Sequence, residues 1–145
     1  MAWIPITEAK ILTKVSGAEL SALRAAALGA GQADPVAEII TQITDEIHGY
    51  IPAHITRGAA DTIPSRLLGA ALDRVVWEIM KRPAASIVDD ANGSRAKANA
   101  AAIRLFERVQ EGAFAIEDPA TGESATGAGT QTVNAPVPRE DFNGL

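Results

Sequence analysis

Apolar residues recur at helical spacing through most of the chain, and polar punctuation divides the pattern into five stretches. "ITEAKILTKV" predicts a short helix with Thr7 as N-cap and with Ile11 and Leu12 turned inward. In "SGAELSALRAAALGAG", Ser16 and Glu19 have capping-box spacing. Leu20, Leu23 and Leu28 supply a thin apolar stripe there, and Gly29 and Gly31 mark the stop. "DPVAEIITQITDEIHGYIP" carries the clearest start signal. Asp34 can cap the helix, and Pro35 occupies a first-turn position whose missing N–H costs nothing. Ile39, Ile40, Ile43 and Ile47 form its apolar face, and Gly49 and Pro52 bracket its end.

The fourth stretch, "PSRLLGAALDRVVWEIMKRP", sets Leu68, Leu72, Val75, Val76 and Ile79 on one face, with Pro83 as its stop. Arg66, Asp73, Arg74 and Lys81 lie elsewhere on it. The fifth and longest is "DDANGSRAKANAAAIRLFERVQEG". Its buried stripe is predicted to be Ala98, Ala102, Leu105, Phe106 and Val109. Arg104 with Glu107 and Arg108 with Glu111 are spaced for surface pairs. After Gly112, the alternation of Phe114 and Ile116 predicts one short strand without a partner in the chain. The fold class is therefore all-α: a small bundle of about five helices, a short C-terminal β-strand and an extended C-terminal arm. The expected division is a helical domain over 1–118 and a Gly/Pro-rich arm over 119–145.

Composition narrows the function. A chain of 145 residues suits a single domain. The net charge of -5 and the 4% aromatic content disfavour a general nucleic-acid binder, which needs a basic face or stacking platforms. With no cysteine there are no disulfides, thiolate metal sites or cysteine nucleophiles. No apolar run approaches the roughly 18 residues of a membrane span. The N-terminus lacks the basic-then-apolar order of a signal peptide.

Candidate chemistry is sparse. Asp45, Glu46, His48 and His54 lie close in sequence, but neighbours two apart on a helix do not share a face, and no HExxH pattern is present. Asp89 and Asp90 could form an acid/base pair; helix capping accounts for them directly. No serine sits in a GxSxG elbow. "GESATGAG" lacks the strand and helix that frame a phosphate-binding loop. Trp77 and Met80 read as core or inter-subunit packing. No catalytic residue, cofactor site or metal site is expected.

Partner contacts are the stronger expectation. Trp3 either reaches a partner or folds back on the bundle. The strand residues Phe114 and Ile116 could add to a neighbour's sheet edge. The tail "ATGESATGAGTQTVNAPVPREDFNGL" buries too little apolar surface to offset its ordering entropy, so a partner is expected to order it. Its alternating prolines favour a polyproline-like conformation around Val137 and Arg139, and Phe142 and Leu145 stand as isolated apolar anchors.

The succession of elements resembles the head-to-tail adaptor, or connector, proteins of tailed bacteriophages. The residues carrying the resemblance are the helix end "IHGYIP" with Tyr50 and Pro52, the helix "IPSRLLGAALDRVVWEIM", and "AIRLFERVQEGAFAI" with Gly112 and Phe114, over roughly residues 6–118. The resemblance implies a structural virion protein of the neck. Such a protein forms a ring, usually of twelve copies, beneath the portal protein, extends the DNA channel and docks a stopper or tail-completion protein. DNA would pass without specific binding, and no membrane is involved. The alternatives are a small helical DNA-packaging or regulatory nucleic-acid-binding domain and an enzyme. The first would need a basic face; Arg95, Lys97, Arg104 and Arg108 are candidates, but Glu107 and Glu111 interrupt them. The second would need a pocket joining His48 or His54 to a carboxylate.

Overall fold

The computed structural model describes residues 3–29, 31, 33–81 and 93–125. Its order is β1 (Trp3–Pro5), α1 (Glu8–Ile11), α2 (Gly17–Gly29), α3 (Pro35–Tyr50), β2 (Thr62–Pro64), a 3-10 turn (Ser65–Leu67), α4 (Leu68–Lys81), α5 (Ser94–Gln110), β3 (Ile116–Glu117) and β4 (Ser124–Ala125). The protein is small and mostly helical, with five α-helices among the described residues, as the periodicity predicts.

Helices α3, α4 and α5 form the centre, with α4 packed on both of the others. Ile39, Ile43 and Ile47 of α3 are fully buried, as are Val75 of α4 and Phe106 of α5. The Phe106 ring meets Tyr50 at 5.7 Å between centroids. Burying each such side chain contributes on the order of 2 kcal/mol. The Asp34 side chain accepts from the Val36 N–H at 3.0 Å, and Pro35 follows at the first helical position.

One other cap departs from expectation. Thr7 precedes α1 with no side-chain cap bond. Ser16 Oγ accepts from the Glu19 N–H at 3.1 Å, which is half of a capping box. The Glu19 carboxylate pairs with Arg95 of α5 at 2.5 Å. The Arg95 hydrogen bond first, with a smaller contribution from a hydrogen bond donated by the Ser16 backbone N–H, holds its pKa below the ordinary value. Leu12 and Leu28, expected inward, are 44% and 57% exposed. A helix of only four residues turns one position inward, and Ile11 takes it. Leu28 lies in the last turn of α2, beyond the segment that Leu20 and Leu23 bury.

Among the described residues there are also two two-stranded antiparallel sheets. The first pairs Trp3 with Pro64, Ile4 with Ile63 and Pro5 with Thr62. The second pairs Ile116 with Ala125 and Glu117 with Ser124. The strand expected to lack a partner in the chain is thus closed by the start of the tail. The expected division at 118 falls inside this hairpin. Asp118 makes the turn: its carboxylate accepts from the N–H groups of Ala120 and Thr121, and these two bonds hold its pKa below the ordinary value. Gly122 follows at φ 74°, a left-handed conformation that glycine adopts freely.

Candidate partner-binding surfaces

Trp3 folds back. It is 4% exposed, and its indole Nε1 donates to the backbone carbonyl of Glu117 at 2.6 Å. Its ring meets His48 edge-on, 5.5 Å between centroids. His48 Nε2 lies 2.7 Å from the Thr62 carbonyl. A carbonyl only accepts, so Nε2 carries the hydrogen. His48 is thereby committed to joining α3 to β2.

Glu117 completes a clasp between the chain's two strand pairs. Its carboxylate is buried, and Oε1 accepts from Ser65 Oγ at 2.7 Å and from the Arg66 N–H at 3.0 Å. These donors open the 3-10 turn that leads into α4, where free N–H groups favour an anion. Of the residues expected at a partner interface, Trp3 and Ile116 are buried in the chain's own core. Phe114 is partly buried against that core, with the Arg108 guanidinium 5.9 Å over its ring. Val137, Arg139, Phe142 and Leu145 lie outside the described residues, as do Pro83, Asp89 and Asp90.

Asp45, Glu46, His48 and His54 take separate roles. Glu46 joins Arg74, which bridges it to Glu78 and so ties α3 to α4. Burial of Arg74 works against its charge, yet the hydrogen bonds it donates to Glu78 and Glu46 raise its pKa overall. Glu78 is lowered: burial opposes its charge, but Arg74 and Lys81 prevail. His54 is exposed. Among the described residues no three His, Cys, Asp or Glu side chains are grouped to hold a metal ion. Met80 is buried, and Trp77 is half-buried on α4.

One cleft opens beside β1. It has a volume of about 360 Å³ and is lined by Pro5, Ile6, Ile40, Thr41, Thr44, Asp45, Ala60 and Asp61. Its floor is apolar: Ile6 is buried and Ile40 packs on the core. The hydroxyls of Thr41 and Thr44 turn away to the carbonyls of Ala37 and Ile40 in their own helix. Asp45 and Asp61 are exposed at the rim. Sequence reading missed this site because it draws on β1, α3 and the segment before β2, which no local pattern links. Asp45 drew attention only as a metal ligand.

Among the described residues, these features define a small helical domain whose polar side chains named above serve structure, with an apolar cleft rimmed by carboxylates. The chain matches the family model described as Bacteriophage Mu, Gp36, over residues 6–135. It belongs to that family and is a phage protein. No curated protein and no solved structure matches it. No helix among the described residues is long and apolar enough to cross a membrane.

Proposed function

We propose that the chain is a structural protein of phage morphogenesis and, more narrowly, a head-to-tail adaptor. It would form a ring under the portal protein, extend the DNA channel and present a docking surface to the stopper or tail-completion protein. The observation that carries this reading is the family match, which spans the whole helical domain and runs into the arm. The order of helices resembles that of adaptors, and the net charge of -5 suits a channel wall on which DNA phosphates should not stick. The reading assigns no catalysis and no cofactor, and it places the protein in the virion neck after assembly in the host cytoplasm. The arm beyond residue 125, with Phe142 and Leu145, is the segment we assign to partner contact.

Reconstruction of the intact virion by electron cryo-microscopy tests it. The expected result is a ring of this chain between portal and tail. Purified virions that lack the chain, or that hold it away from the neck, would overturn the reading.

A further inference from the structure

The cleft beside β1 has an apolar floor and two rim carboxylates. Neither the Asp45 nor the Asp61 carboxylate forms an ion pair or hydrogen bond among the described residues. By contrast, Glu8 and Asp34 share Arg24, Glu19 holds Arg95, and Asp73 holds Lys14. Lys10 donates to the Pro5 carbonyl and does not line the cleft. The cleft calls for an occupant that pairs an apolar group with a cation and demands few hydrogen bonds from the floor, whose threonine hydroxyls are already committed.

The chain carries such a segment. After Arg108 its sequence contains one Lys or Arg, namely Arg139, directly preceded by "APVP". Prolines lack an N–H, so this stretch brings few donors that need burial partners. A polyproline-like conformation also binds at a low entropic cost. Glu140 and Asp141 follow at once, so only the Val137–Pro138–Arg139 face complements the site.

Geometry favours the chain's own arm over another copy's. The arm leaves from Ala125 in β4, whose partner strand β3 is held to Trp3 through the Glu117 carbonyl. Pro5, two residues further along β1, lines the cleft. The nine residues 126–134 span up to about 30 Å when extended. A tether of that length holds its end at a millimolar effective concentration.

The geometry points to the cleft as a seat for the chain's own C-terminal arm, with Val137 and Pro138 on the Ile6–Ile40 floor and Arg139 between Asp45 and Asp61. Phe142 and Leu145 stay beyond the seat. A contact of this size is exchangeable, so a partner can draw the arm away. The inference stands independently of the adaptor ring.

The absence of native cysteine makes the test direct. Full-length chain carrying Ala60→Cys with Val137→Cys is oxidised mildly at low protein concentration. It is compared with Leu28→Cys plus Val137→Cys, which places the second thiol on exposed α2. The cleft pair is expected to close an intramolecular disulfide at least about tenfold faster, given the gain from local concentration. Adding Arg139→Glu, or Asp45→Asn with Asp61→Asn, should erase that advantage. Equal rates for the two pairs would overturn the proposal. So would a disulfide between Ala60→Cys and Val137→Cys single variants, mixed at the same low concentration, that forms as fast as the one within the double variant, which would give the cleft to a second copy's arm.

Discussion

Gly58 lies flat against the indole of Trp3. A Cβ at this glycine would come within 2.8 Å of Cε3 and 2.9 Å of Cδ2, closer than packed atoms tolerate. The ring cannot easily retreat, because His48 abuts it and Glu117 holds its N–H. Gly58→Ala should therefore destabilise the domain by about 1–3 kcal/mol, as overpacking does. The midpoint of denaturant unfolding measures it. Combined with Trp3→Ala, the loss should be smaller than the sum of the two single losses, since the pair is in contact. Strict additivity would show that the indole shifts freely.

Removing the Glu117 carboxylate should loosen both strand pairs together. Glu117→Ala leaves the Ser65 hydroxyl and the Arg66 N–H without their acceptor, at a cost of about 1–3 kcal/mol. Glu117→Gln keeps a carbonyl acceptor and should cost less. Amide hydrogen exchange would rise in β1 as well as β3. Acceleration confined to β3 would mean that the carboxylate does not couple the two ends.

The helices were legible because their signals are local. Asp34-Pro35 at the start of α3 and the isoleucines at helical spacing depend only on neighbours within a few turns. Leu12 and Leu28 misled because apolar character alone does not say where a helix ends or what covers its last turn. The pairing of β1 with β2 escaped notice, since three residues alternate too briefly to register and Pro5 and Pro64 argue against a strand. Trp3 left two readings open, which its contact with Glu117 decides. The cleft was invisible for the same reason: Pro5, Asp45 and Asp61 meet only in the fold.

Arg74 is the ionic link between α3 and α4. Arg74→Met keeps most of the packing and leaves Glu46 and Glu78 facing each other without their cation. The expected loss is about 1.5–3 kcal/mol, the range for hydrogen bonds to charged groups. Adding Glu46→Gln to Arg74→Met should recover part of it. No recovery in this double variant would mean that the cost comes from the alkyl stem instead.

Acid should weaken the fold in a defined window. Glu8, Glu19 and Glu78 all sit below the ordinary 4.5, the first two chiefly through hydrogen bonds from Arg24 and Arg95. A carboxylate depressed by folding contributes its full stabilisation above its unfolded value and loses it as pH falls toward its folded value. Unfolding midpoints should change little between about pH 7 and pH 5 and then drop below about pH 4.5. Glu19→Gln should flatten that drop. An acid limb of unchanged steepness in this variant would remove Glu19 from the account.

The bond between Trp3 and Glu117 joins residues 114 positions apart. Closing so long a loop is entropically costly and brings no return until the helices between are assembled. The N-terminal strand and the C-terminal hairpin should therefore dock last during folding and part first during native fluctuations, as one cooperative unit. Such an opening would free the base of the arm and the wall of the cleft in the same event, while the α3–α4–α5 centre stays packed.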